Sequence, residues 1–259
     1  MGSELTVYSR KLKIVDYGDD FTKSKLVAAM ESTIAKVPIG ALAPAMTAVY
    51  SNGLRINKMK TVNGPGGKEV AMEVVAQGAV AAYASLGCPG TCSESVEAAQ
   101  AESAEVFGNP TPSCASGIDC SLALILPHAV VDGQAGLIID KIAASGLDIS
   151  CVQLFSLGRA NAAEFLEVYK GVVPEYSKKV IELTAGPCIA VEVRGADAVT
   201  QLRAVAGPHD PDIARVIRPG TVRADCGIDK VQNAVHVTDL PEDGQLEVEY
   251  FFSMLARNS

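Results

Sequence analysis

No apolar run in this 259-residue chain is long enough to cross a bilayer. Runs such as Leu122 to Leu126 fall far short of the roughly 20 residues that a spanning helix needs. No charged-then-apolar leader opens the chain, so a cytosolic protein without a membrane partner is expected. Met1 to Thr6 fits the myristoylation pattern, but that pattern is permissive enough for the match to be read as chance. A disulfide framework is missing as well. The seven cysteines (Cys88, Cys92, Cys114, Cys120, Cys151, Cys188 and Cys226) are odd in number and irregular in spacing, which points to reduced thiols. Cys88-x-x-x-Cys92 has no second pair or histidine close behind it to complete a zinc site, so no protein-bound metal is expected. Basic excess is absent too: a formal charge of −8 argues against nucleic acid as a partner. A local phosphate site remains open, because Arg203, Arg215, Arg218 and Arg223 fall close together in a Gly/Pro-rich stretch.

What is present is a globular composition, 48% apolar with slightly positive mean hydropathy. The chain also repeats itself. Ala71-Met72-Glu73-Val74 matches Ala190-Val191-Glu192-Val193, and an Ala-rich helical stretch follows each. Upstream, Ser51 to Ile56 resembles Ala144 to Ile149. Gly53 and Ala71 lie 18 positions apart and Gly146 and Ala190 lie 44 apart, so the first copy is about 26 residues shorter there. It lacks a counterpart of the helical region Arg159 to Leu183. Nothing between Thr91 and Asn109 looks like the later arginine-rich segment or the stretch around His236.

In the second copy Ser121 to Leu126 reads as a buried strand ended by Pro127. Gly136 to Ala144 has helical spacing and closes at Ser145-Gly146. Ile149 to Leu157 alternates like a strand, and Asn161 is a candidate N-cap for a helix from Ala162 to Tyr169 stopped by Gly171. Cys188 to Val193 is a strand, Ala196 to Ala206 a helix, Ala234 to Val237 a strand and Gly244 to Leu255 a helix. That order is β-α-β-β-α-β with additions, an α+β ferredoxin-like fold in tandem with a truncated first copy. Ser93 to Ser116, poor in pattern and rich in Ser, Ala and Pro, reads as the linker.

Of three histidines, His236 has unusual neighbours. Pro219-Gly220-Thr221, then Arg223-Ala224-Asp225, then Asn233-Ala234-Val235-His236-Val237-Thr238-Asp239 bring an imidazole, hydrogen-bonding side chains and guanidiniums into one stretch. Phosphoryl transfer needs such a set: a nucleophile and donors for the non-bridging oxygens.

These residues resemble the nucleoside diphosphate kinase family, whose pattern is Pro-Gly-Thr-x-Arg followed by Asn-x-x-His-x-Ser/Thr-Asp. The similarity runs from about Leu122 to Phe252. Gly207-Pro208-x-Asp210-Pro211 and Asp239 to Gly244 resemble a ciliary branch, which carries tandem kinase-like domains behind a small DM-type domain. Tyr8 to Asp19 resembles the exit of that DM-type domain. The resemblance implies a DM-type tail over residues 1–26, a degenerate kinase-like unit over 27–112 and a kinase-like domain over 113–259. It implies His236 as the nucleophile that becomes phosphohistidine, with Glu247 orienting its ring. Arg203 and Arg223 would bind phosphate, Asn233 the sugar-phosphate region and Thr238 would support the histidine. Tyr169 and Tyr176 would assist from the helical hairpin. Mg²⁺ would accompany ATP if the site turns over.

The departures from the family pattern are informative. The family's first strand ends Lys-Pro, but here it ends Leu126-Pro127. His209 stands about where a phosphate-contacting threonine is usual. Two functions are therefore expected in competition. One is an architectural protein of the cilium or flagellum axoneme, in the cytoplasm and cytoskeleton, with tubulin and other doublet proteins as partners and little or no catalysis. The other is a working nucleoside diphosphate kinase that tolerates Leu126; a nucleotide-sensing module that binds without transfer is a third reading.

Overall fold

The computed structural model describes residues 4–7, 10–13, 30–108 and 113–256. Most of the expected DM-type tail lies outside them. Its described part is a two-stranded antiparallel ribbon, β1 (Glu4–Val7) and β2 (Arg10–Lys13), with Val7 opposite Arg10.

The first unit runs β3 (Glu31–Pro38), α1 (Leu42–Ser51), β4 (Arg55–Gly64), β5 (Gly67–Ala76), α2 (Ala79–Ala84), β6 (Thr91–Cys92) and α3 (Val96–Phe107). The second unit opens with β7 (Cys120–Ile125), α4 (Pro127–Val131), α5 (Ala135–Ala144) and β8 (Asp148–Ser156). Two helices that the first unit lacks follow, α6 (Arg159–Phe165) and α7 (Tyr176–Leu183), and then β9 (Pro187–Arg194). The unit ends with α8 (Ala198–Ala206), α9 (Pro211–Ile217), α10 (Val222–Cys226), β10 (Val235–Val237) and α11 (Gly244–Glu249). The strands form one antiparallel sheet in the order β10-β7-β9-β8-β4-β5-β3-β6. Within each unit the order is that of a ferredoxin-like βαββαβ fold, so both copies keep four strands. No helix among the described residues is long and apolar enough to cross a membrane.

The like elements of the two units meet. Strands β4 and β8 pair at Lys60 and Gln153, where the Thr61 hydroxyl accepts the Val152 N–H at 2.8 Å and donates to its carbonyl at 3.1 Å. Helices α1 and α5 cross beside this seam. A Cβ at Gly136 would lie 2.3 Å from the Thr47 hydroxyl oxygen and 2.9 Å from the Ala43 carbonyl oxygen, so the crossing needs glycine there. Met46 and Val49 of α1 and Ile138, Ile139 and Ile142 of α5 belong to a single buried core that spans both units. This is the isologous contact of a two-fold dimer, made within one chain.

The repeated sequence corresponds to repeated detail. Both β4 and β8 carry a one-residue bulge, at Asn57 and Ser150. Each bulged side chain reaches a buried glutamate on the next strand: Asn57 donates to Glu73 at 2.6 Å and Ser150 to Glu192 at 2.5 Å. Glu192 also accepts the Ser116 and Gly117 N–H groups, at 2.9 and 2.7 Å.

Three expectations need correction. Ser93 to Ser116 is not all linker, since Val96–Phe107 is a helix capped by Ser95, whose hydroxyl accepts the Ala98 N–H at 3.1 Å. Its only fully buried residue is Ala99, so no stripe of large apolar side chains announced it. Asn161 is not an N-cap: α6 begins at Arg159 after Gly158, and a 3-10 turn carries the chain from Glu167 to Tyr169. The final helix widens after Glu249 into a π turn over Tyr250–Leu255, which lets the adjacent Phe251 and Phe252 both enter the core.

Replacing Glu192 with leucine takes the acceptor from two part-buried N–H donors and leaves the buried Ser150 hydroxyl only the longer bond to the residue-192 carbonyl, at 3.3 Å. The expected loss of stability is about 1–3 kcal/mol, read as a fall in denaturation midpoint at unchanged m-value. An unchanged midpoint would remove Glu192 as the pin of the bulge.

Candidate functional site

His236 sits on β10, opposite Leu124 of β7. Three residues of strand hold a side chain poorly, and polar bonds on both flanks supply the rest. After the histidine, the Thr238 hydroxyl accepts the Leu122 N–H at 3.0 Å and donates to Glu247 at 2.9 Å. Before it, Ala234 takes a left-handed conformation with φ 71, which costs a β-carbon residue about 1–2 kcal/mol. Its carbonyl accepts the Leu126 N–H at 2.9 Å, and its N–H donates to His128 Nε2 at 3.2 Å. An Nε2 that accepts leaves the proton on Nδ1, which donates to Glu182 at 2.8 Å. Burial alone would raise the Glu182 carboxyl, but hydrogen bonds from the His128 and Gln232 side chains outweigh it and hold it below the ordinary range.

The Glu247 carboxylate meets His236 Nε2 at 3.1 and 3.2 Å. A carboxylate only accepts, so Nε2 carries the proton and the Nδ1 lone pair is free. Nδ1 makes no hydrogen bond among the described residues. The Phe165 ring packs edge-on to the imidazole, with centroids 5.0 Å apart. His236 thus has a fixed ring, a fixed tautomer and a nucleophilic nitrogen.

The imidazole forms part of the wall of a cavity of about 700 Å³, which Arg203, Arg223, Asn233 and Tyr169 also line. Arg223 is buried and spends its donors on the protein, bonding the Gly207 carbonyl at 2.8 Å and the Val235 carbonyl at 3.1 and 3.3 Å. Burial lowers its pKa to about 10, which leaves it cationic at neutral pH. Arg203 pairs with Asp239 at 2.5 Å, and the Tyr169 hydroxyl donates to the same carboxylate at 2.5 Å. Asn233 donates to His209 Nδ1 at 3.0 Å. His209 is lowered to about 4, first by burial and then by Lys179 and Arg223, so it is a neutral ring with its proton on Nε2.

Of the residues singled out in the sequence, His236, Arg203, Arg223, Asn233 and Tyr169 come together at the cavity. Glu247 and Thr238 stand behind the imidazole, as orienting groups should. Tyr176 is not among the residues lining that cavity, and its hydroxyl donates to the Ala163 carbonyl at 3.3 Å, tying α7 to α6. Leu126 lines the cavity while its side chain packs into the core beneath the α6–α7 hairpin. The sequence reading missed Phe165, the His128–Glu182 pair and Lys179. Phe165 and Tyr169 are spaced four apart, a usable signal, and both rings pack edge-on to His236. Nothing in the sequence distinguishes Lys179 from the adjacent Lys178.

The first unit retains part of this arrangement. The Ser93 hydroxyl accepts the Ile34 N–H at 3.0 Å and donates to Glu102 at 3.1 Å, as Thr238 does with Leu122 and Glu247. Thr91, opposite Lys36 on β3, occupies the register position of the histidine. The supporting pair survives there without a nucleophilic ring.

The second unit is thus a ferredoxin-like fold that presents a carboxylate-braced histidine to a cavity walled by guanidiniums. Residues 119–256 match the family model described as Nucleoside diphosphate kinase. A relative named Nucleoside diphosphate kinase homolog 7, from Rattus norvegicus, is 34% identical over an alignment covering 98% of this chain and 79% of the relative. The nucleoside diphosphate kinase of Aquifex aeolicus is 33% identical over 53% of this chain and 96% of its own. An orthorhombic crystal form of that enzyme superposes with a TM-score of 0.51, covering 53% of this chain and 97% of that one. The chain belongs to the nucleoside diphosphate kinase family.

The depressed His209 pKa has a consequence for stability. The unfolded chain takes up this proton near the ordinary value of about 6.5, and the folded chain only near 4. Its contribution is therefore complete above about pH 6.5 and is lost as pH falls towards 4. Histidine NMR should show the His209 ring without titration between pH 5.5 and 8, and His209→Gln should flatten the decline in stability between pH 6.5 and 4. A ring 209 that titrates near 6.5 would contradict this.

Proposed function

We propose that the second unit binds a Mg²⁺–nucleoside triphosphate and takes its γ-phosphoryl onto His236 Nδ1, then passes it to a nucleoside diphosphate. The observation that carries this reading is the Thr238–Glu247–His236 chain, which fixes the proton on Nε2 and leaves Nδ1 free at the cavity. The Nδ1 lone pair forms the new N–P bond while the bond from the γ-phosphorus to the β–γ bridging oxygen breaks, and the nucleoside diphosphate leaves with that electron pair. The ring gains positive charge, and the Glu247 carboxylate stabilises it through Nε2–H. A second nucleoside diphosphate reverses these steps. Arg223 supplies charge through a guanidinium already anchored to carbonyls, and Arg203 supplies donors by exchanging Asp239 for phosphate. The magnesium ion arrives on the nucleotide: among the described residues no three metal-ligating side chains converge.

Leu126 makes this a slow enzyme. An apolar end to β7 offers the developing phosphoryl charge nothing, and one missing contact of that type costs on the order of a hundredfold or more in rate. A second reading draws on the first unit, where Thr91 replaces the nucleophile although the fold is kept. We propose that this unit serves shape, with tubulin and other axonemal doublet proteins of a cilium or flagellum as partners. Co-sedimentation of His236→Ala with doublet microtubules, undiminished relative to the unmodified chain, is the expected result. Failure of both to sediment would end that reading.

The catalytic reading is tested by incubation with γ-labelled ATP and Mg²⁺, scoring acid-labile phosphate. Label is expected on the unmodified chain and none on His236→Ala. Leu126→Lys should label about a hundredfold faster. Equal label on His236→Ala would place the chemistry elsewhere.

A further inference from the structure

Lys179 projects from α7 into the wall of the cavity that holds His236, yet it makes no hydrogen bond or ion pair among the described residues. The other cationic side chains at this cavity are matched among the described residues, while the Glu175 carboxylate, like Lys179, makes no hydrogen bond or ion pair there. Arg203 has Asp239, Arg223 has three backbone bonds to two carbonyls, Lys230 has Asp210 at 3.4 Å and Glu182 has His128 and Gln232. The ammonium is partly withdrawn from water, and its pKa is lowered, first by that burial and then by the neighbouring Arg223 guanidinium. Carboxylates of Glu175, Asp229 and Asp239 act on it in the opposite sense without bonding it. Its charge is in turn felt by His209, which lines the same cavity. A half-buried cation next to a guanidinium, with no bonded counter-ion, is unfavourable in the empty protein and becomes favourable when an anion enters.

From this arrangement we infer that Lys179 is a phosphate-binding residue of the site, contacting the polyphosphate of the nucleotide. It supplies from the helical hairpin the positive charge that Leu126 does not supply from the end of β7. The first unit has no such hairpin and therefore no equivalent of this residue. The inference rests on the reading of the cavity as a nucleotide site, and it specifies which part of the nucleotide the hairpin holds. It concerns binding and charge, so an equilibrium measurement decides it even if no phosphoryl is transferred.

The test compares the unmodified chain with Lys179→Met and Lys179→Arg by calorimetric titration with ATP, inorganic tripolyphosphate and adenosine. Lys179→Met should weaken ATP and tripolyphosphate by about tenfold or more, the size of one charged hydrogen bond. Adenosine binding should not change, and Lys179→Arg should retain most of the affinity. Adding Leu126→Lys to Lys179→Met should restore triphosphate affinity by returning a positive charge to the cavity wall. A thermal melt of the empty proteins controls for folding: Lys179→Met should melt at the same temperature or higher, because it removes an uncompensated charge.

Equal triphosphate affinity of the unmodified chain and Lys179→Met would overturn the inference. So would an equal loss for adenosine, which would put the lysine against the base, or a failure of the unmodified chain to bind any triphosphate. Triphosphate binding that depends on Lys179 without phosphohistidine would leave this inference standing and overturn the transfer reaction alone.

Discussion

The site depends on keeping a three-residue strand in register. Backbone pairing of Val235–Val237 with β7 supplies too few bonds to hold a side chain against solvent, and the strand is entered through an alanine in a left-handed conformation. What fixes it is a set of polar pins. Thr238 ties one end to Leu122, Ala234 ties the other to Leu126 and His128, and Arg223 grips the Val235 carbonyl from the side. Each pin also settles something chemical. Thr238 orients Glu247, which sets the tautomer of His236. Arg223 gives up hydrogen-bonding capacity but keeps its charge facing the cavity. Positioning and electrostatics come from the same few side chains.

Comparison of the two units separates what the fold requires from what the chemistry requires. The bulge, its polar side chain and the buried glutamate opposite occur in both, so they belong to the sheet. The hydroxyl and glutamate that brace β10 are matched by Ser93 and Glu102 beside β6. The imidazole and the helical hairpin occur in the second unit alone. The first unit has therefore lost the reacting group and the cover of the cavity, and it has kept the framework that once positioned them.

Much of the fold was legible because buried strands are apolar on both faces. Cys120–Ile125 and Pro187–Arg194 announce themselves in this way, and the duplicated Ala-x-Glu-Val motif marks equivalent strands. Helix Val96–Phe107 was illegible because an alanine makes its closest contact, leaving no stripe to count. The π turn at Tyr250 answers to two adjacent aromatics that a regular helix would place on different faces. At the site, the family resemblance pointed to the histidine, its carboxylate and both arginines. It could not find Lys179 or the His128–Glu182 pair, whose importance lies in what is, or is not, within bonding distance across the cavity.

The continuous sheet also governs how this molecule meets its neighbours in solution. Duplication by like-to-like contact leaves β6 and β10 as the two outer strands, one two residues long and the other three. With seven inter-strand steps of about 4.8 Å, they lie roughly 34 Å apart measured across the sheet. Strands so short present few unpaired amides, too few to template the addition of a foreign strand. Among the described residues the sheet thus ends in two very short strands, and the ten-residue strands β4 and β5 lie inside it, paired on both sides.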